Sequence, residues 1–191
     1  MWWNDENLVQ VLKTGGVVVM PTDTLYGIVG VASSQNTVER IYEIRQRTPE
    51  KPCIILIGDI NKLEEFSVNI SEEQKKELQK YWSFDESQNL RSVSVVLDCS
   101  DEKFAYLHRG TKTLAFRLPR IKELRDLLLK TGPLIVPSAN TEGMPPAKNI
   151  NEARNYFGDA VDLYIDGGEI SGKASKVVRL KNDGSVEVLR P

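Results

Sequence analysis

Four stretches of the chain carry side chains that could do chemistry, and none pairs a nucleophile with a base. Residues 15–27, GGVVVMPTDTLYG, run apolar to Met20, stop at Pro21 and then show two hydroxyls, a carboxylate and a phenol. Such a strand end suits the rim of a site for a small polar ligand, although Thr22 or Asp23 could equally cap an ordinary turn. Residues 44–52, IRQRTPEKP, put Arg45, Arg47 and Lys51 at the end of a helix and into the following loop. Cations there complement the helix dipole, and spaced guanidinium groups could also grip a polyphosphate. Residues 108–120, HRGTKTLAFRLPR, set Arg117 between Phe116 and Leu118 in a strand-like run, so its face is either wet or lined by an anion. Residues 136–146, VPSANTEGMPP, repeat the first pattern, an apolar run followed by proline, hydroxyl and amide, and a simple turn is the competing reading.

What is missing narrows the reaction classes. His108 is the sole histidine, so any Ser-His-Asp or Cys-His arrangement would have to be built on it. No GxSxG elbow, GxxxxGK[ST] loop or GxGxxG fingerprint is present. Cys53 and Cys99 lack CxxC spacing and sit in apolar runs, which reads as two buried free thiols. An enzyme built from this chain therefore works by positioning and charge stabilisation. A net charge of −2 advertises neither nucleic acid nor an acidic membrane, so anion binding must come from local clusters. No apolar run approaches the roughly 18 residues of a membrane span and the start lacks a basic leader, which predicts a cytoplasmic protein without membrane contact.

The elements that must position these groups read as follows. Asn4 or Asp5 caps a helix with the stripe Leu8, Val9, Leu12, closed by Gly15-Gly16, and residues 17–20 form a buried strand. Asn36 and Glu39, at capping-box spacing, open a helix through Val38, Ile41 and Ile44. Pro52 introduces a strand at 53–57; helices follow near 60–66 and 71–82, the latter opened by Ser71 and Gln74. Strands are expected at 93–97, 114–118 and 134–136, with a helix through Ile121, Leu124, Leu127 and Leu128 between the last two, closed by Gly132-Pro133. A helix at 151–157 ends at Gly158. Strands at 163–165, 177–180 and 186–189 follow, the last pair joined by an Asn182-Asp183-Gly184 turn. Strands and helices without strict alternation predict an α/β (α+β-like) fold: a twisted, mostly mixed sheet with flanking helices, one domain over 1–191.

With those residues in hand, the chain resembles the YrdC/Sua5 family of L-threonylcarbamoyladenylate synthases over residues 15–191. Its PT-x-T-x-YG segment is Pro21-Thr22-Asp23-Thr24-Leu25-Tyr26-Gly27, its K-x-R is Arg45-Gln46-Arg47 followed by Lys51-Pro52, and its S-x-N is Ser138-Ala139-Asn140. The segments at 162–168 (DLYIDGG) and 175–178, and the Arg190-Pro191 end, are similar too, and the end matches the short form without a Sua5 domain.

The resemblance implies a large, positively lined cavity and the joining of L-threonine, bicarbonate (or CO2) and ATP into threonylcarbamoyl-AMP, with Mg2+ and release of pyrophosphate. That product serves t6A modification of ANN-reading tRNAs, with TsaD, TsaB and TsaE as partners and tRNA met only indirectly. By position, Thr24, Arg117, the backbone at Val136 and Ser175 would take threonine. Arg47, Lys51, Thr113, Ser138 and Arg190 would face ATP. Arg45, Arg47, Ser138 and Asn140 would form the catalytic motifs, and no residue is assigned to a metal. The chain departs from the family where Arg45 replaces a lysine, Leu56 a frequent histidine, Pro146 a frequent serine and Arg179 an aspartate. It also departs where residues 81–93 replace a W-P-G-P turn. An RNA-binding or ribosome-maturation factor using the same cavity is the alternative, and a carbamoyl-transfer accessory domain of the hydrogenase-maturation type is a third.

Overall fold

The computed structural model describes residues 2–83 and 92–191. Its strands are β1 (Val18–Pro21), β2 (Tyr26–Val31), β3 (Ile54–Leu56), β4 (Val93–Asp98), β5 (Thr113–Arg117), β6 (Leu134–Ile135), β7 (Leu163–Tyr164), β8 (Lys176–Leu180) and β9 (Val186–Arg190). They form one sheet in the order β7-β1-β2-β6-β3-β5-β4-β8-β9. Pairings β1–β7, β3–β5 and β4–β8 are parallel and the rest antiparallel, so the sheet is mixed, as expected. The helices are α1 (Glu6–Lys13), α2 (Gln35–Arg45), α3 (Glu72–Tyr81), α4 (Ala105–His108), α5 (Lys122–Thr131) and α6 (Ile150–Phe157).

Both faces of the sheet are covered, and the alternation along β1 shows it. Val17 and Val19 enter one core with Ile28, Val38, Ile41, Ile55 and Phe116. Val18 and Met20 enter the other with Leu8, Leu12, Leu124, Leu127 and Leu128 from α1 and α5. A strand buried on both sides has no polar alternation to keep, hence the unbroken run of valines. Helices α1 and α5 need only one apolar stripe each, which is what their 3–4 residue spacing supplies.

Three local expectations are corrected. Residues 26–31, where the sequence pattern predicts no element, form β2, the antiparallel partner of β1. Gly27 and Gly30 dilute the strand signal, and Gly30 is needed because a Cβ there would stand 2.3 Å from Thr37 Cγ2 of α2. The cap of α2 is Ser34, whose hydroxyl accepts from Thr37 N at 3.2 Å, and not Asn36. Residues Ile60–Phe66 form a 3-10 helix capped by Asp59. The Ser71–Gln74 capping box of α3 is present in both directions. The residues replacing the W-P-G-P turn lie largely at 84–91, outside the described residues.

Candidate active site

The quoted stretch at 15–27 is the β1–β2 hairpin, and its turn is held by its own polar groups. Thr22 N donates to Leu25 O at 3.1 Å, and Thr22 Oγ1 donates to the same carbonyl at 2.7 Å while accepting from Thr24 N and Leu25 N. Thr22 is thus committed to the turn, the plainer of its two readings, and its Oγ1 also lies 3.2 Å from Thr24 Oγ1. Tyr26 is fully buried; its phenol donates to Gly168 O and accepts from Gly167 N, each at 2.8 Å. Burial is the largest cause raising its pKa, so it stays a neutral clamp on the segment at 166–168.

The second polar strand end is stitched to the first. Ile28 N donates to Pro137 O at 3.1 Å, Ala139 N to Tyr26 O at 2.8 Å, and Ser138 bridges Gly27. The resemblance of the two motifs therefore has a spatial cause: the start of β2 and the segment leaving β6 run side by side in the middle of the sheet. Behind them Arg45, 2% exposed, donates through Nε to Asn140 O at 2.9 Å and through Nη2 to Asn140 Oδ1 at 3.2 Å. Asn140 Nδ2 closes the loop onto Thr141 O and Met144 O, and Ser138 Oγ donates to Asn140 Oδ1 at 2.6 Å. Arg45 and Asn140 form the scaffold under Ser138 and stand off the cavity wall.

These ends open on a cavity of about 510 Å³, a volume suited to small-molecule ligands. Its wall contains Thr24, Arg47, Thr113, Arg117, Val136, Ser138, Ser175 and Arg190, so eight of the eleven residues singled out from the sequence converge there. Arg47 is braced by Nε to Lys51 O at 3.0 Å and Nη2 to Pro52 O at 2.9 Å. Arg190 reaches Ser175 O at 3.0 and 2.8 Å, and the buried Ser175 hydroxyl meets Ser94 Oγ at 2.9 Å. Gly172 lets the segment before Ala174 cross the hairpin turn: a Cβ there would lie 1.9 Å from Thr24 O.

Lys51 stands outside the wall. Its ammonium lies 2.5 Å from Glu142 Oε1, and the other oxygen of Glu142 accepts from Thr48 N. The contact to Lys51 is the largest cause holding the Glu142 carboxyl down, at about 2. Arg117 also meets an anion, and it is internal: Nη2 lies 2.9 Å from Asp23 Oδ1, with the two side chains 4% and 3% exposed. Asp23 and Glu142 both lie in stretches singled out from the sequence, which offers Asp23 only as a turn cap and Glu142 no role. Opposite charge to a nearby cation was the available signal, but it requires knowing which segments meet.

Of the nucleophile candidates, Cys53 borders the cavity but burial pushes its thiol up, which keeps it protonated. His108 is buried away from the wall, with Nδ1 accepting from Gly110 N. No Ser-His or Cys-His pair is assembled among the described residues, nor any group of three or more His, Cys, Asp and Glu that could hold a metal. The site can bind, orient and neutralise charge.

The chain is similar to known proteins over nearly its whole length. The threonylcarbamoyl-AMP synthase of Bacillus subtilis is 30% identical over 98% of this chain, which spans 54% of that protein. That of Hahella chejuensis is 27% identical, with 98% of each chain covered. The crystal structure of Pyrococcus abyssi Sua5 complexed with L-threonine superposes with a TM-score of 0.83 at 28% identity, covering 97% of this chain and 53% of that one. The Sua5/YciO/YrdC family model, described as telomere recombination, matches residues 10–191, and the chain belongs to that family.

Proposed function

We propose that this protein joins L-threonine, bicarbonate or CO2 and ATP into threonylcarbamoyl-AMP with release of pyrophosphate. The observation carrying the proposal is the convergence of Thr24, Arg117, Ser138, Arg47 and Arg190 on one cavity, in a fold shared with a protein crystallised with L-threonine. Arg117 and the Thr24 hydroxyl suit a small zwitterion, and Arg47, Arg190 and Thr113 suit a triphosphate.

The chemistry needs no protein nucleophile. The free amine of threonine attacks CO2, losing a proton and forming an N–C bond to give a carbamate. A carbamate oxygen then attacks the α-phosphorus of ATP and the bond to the β-phosphate oxygen breaks. Negative charge moves to the departing pyrophosphate, where fixed guanidinium groups stabilise it. Mg2+ entering with ATP would neutralise phosphate charge, beside the guanidinium groups of Arg47 and Arg190.

The product would feed t6A modification of ANN-reading tRNAs, with TsaD, TsaB and TsaE downstream. No helix among the described residues is long and apolar enough to cross a membrane. The test is pyrophosphate release by purified protein given ATP, bicarbonate and Mg2+. Release is expected only when L-threonine is added; equal release without it, or none at all, overturns the reading.

A further inference from the structure

The cavity's deepest charge is matched by a group that does not itself face the cavity. Asp23, in the turn between β1 and β2, is 3% exposed at its side chain and is absent from the wall, whereas its partner Arg117 is on the wall. Asp23 Oδ2 accepts from Ser92 Oγ at 2.8 Å, which fixes the carboxylate from the side of β4. Its Oδ1 lies 2.9 Å from Arg117 Nη2, yet the two are not aligned as a hydrogen bond. Arg117 Nε is likewise buried without a hydrogen-bond partner.

A guanidinium in the interior is costly unless its charge is balanced. Asp23 supplies that balance from behind, through charge more than through directed hydrogen bonds. Arg117 Nε and Nη2 are sealed from solvent, while the residue as a whole lines the cavity. We infer that Asp23 is a positioning residue for the amino-acid substrate: it fixes Arg117 with one edge presented to the substrate carboxylate. A competitor for Arg117 would have to occupy the place of that carboxylate. Asp23 lies off the wall, so it acts as a support. This rests on the reading that the cavity takes an amino acid.

The experiment measures binding of L-threonine and of L-threoninol, which lacks the carboxylate, by calorimetry to wild type, Asp23→Asn and Ser92→Ala. ATP binding is measured in parallel. Asp23→Asn keeps shape and removes charge. It is expected to weaken L-threonine about tenfold, to leave L-threoninol and ATP within about twofold, and so to erase most of the preference for the carboxylate. A merely structural role would weaken all three ligands together.

Unchanged or tighter L-threonine binding by folded Asp23→Asn overturns the inference. Should that variant fail to fold, Ser92→Ala, which only loosens Asp23, decides: a selective loss of several-fold supports the role, and wild-type binding removes it. Wild type that binds L-threonine without releasing pyrophosphate sinks the proposed reaction and leaves the role of Asp23 standing. Wild type that does not bind L-threonine sinks both.

Discussion

The protein sets a cation against a carboxylate twice around its cavity, once in the interior and once at the surface, and the surroundings make them different devices. Arg117 and Asp23 are 4% and 3% exposed; Lys51 and Glu142 are 59% and 21% exposed. In the interior, low dielectric makes an unbalanced charge very unfavourable, so the pair holds a fixed geometry. At the surface, water and salt weaken the attraction and two long side chains resist being ordered, so the pair is exchangeable. A site for a small zwitterion gains from the first kind of pair. A site that admits and releases a triphosphate gains from the second.

Breaking the interior pair should have the largest effect. Arg117→Ala leaves Asp23 buried without its countercharge, with only Ser92 to accept from, and should lower stability by roughly 3–5 kcal/mol. Urea denaturation measures this; a loss below about 1 kcal/mol would mean that water already reaches Asp23 and that the two pairs are alike. The double variant Arg117→Met with Asp23→Leu should recover much of the stability, because a well-packed apolar pair can replace a buried ion pair, while L-threonine binding stays lost.

That interior pair also marks the limit of what the sequence discloses. Periodicity located α1, β1, α3, α5 and the β8–β9 hairpin, because each is written in consecutive residues. The pattern around Phe116 and Leu118 required an anion or water facing Arg117, but nothing in a local pattern says that the anion lies at residue 23. Pairing across such a separation is a tertiary event, since β6 and β3 lie between β2 and β5 in the sheet. The same holds for Lys51 and Glu142. The hairpin strand β2 is hidden for a different reason: its glycines answer to close packing, Gly30 against Thr37 of α2 and Gly27 against Val136, a tertiary demand that depresses the local signal. Motif resemblance supplied the site residues by analogy, and the structure divides them into eight on the wall, a scaffold pair in Arg45 and Asn140, and Lys51 at the rim.

Between the two extremes lies Arg47, half-buried and braced by the carbonyls of Lys51 and Pro52, with no carboxylate paired to it among the described residues. Its guanidinium is fixed by neutral acceptors, so its charge remains to be spent on a ligand. Arg47→Ala should lower ATP affinity by about 1.5–3 kcal/mol, the scale of a charge-assisted contact, with little change in L-threonine binding. Unchanged ATP binding would remove Arg47 from the nucleotide half of the site.

The surface pair should give the smallest effect and the clearest titration. Glu142 is held at about 2, against an ordinary 4.5, by Lys51 first and then by Thr48 N. A depressed carboxyl contributes its stabilisation fully above the ordinary value and loses it as pH falls through the folded one, so the window is about 4.5 down to 2. At neutral pH the contact is fully formed. NMR titration of the Glu142 carboxyl should give a midpoint near 2 in wild type and a higher one in Lys51→Met, where Thr48 N alone remains. A midpoint near 4.5 in wild type would mean that the contact is not populated in solution. Glu142→Gln should leave the Tm nearly unchanged at pH 7 while freeing Lys51, so ATP affinity should hold or rise. A fall would show that Glu142 organises the rim instead of exchanging with phosphate, and the distinction between a fixed interior pair and a displaceable surface pair would collapse.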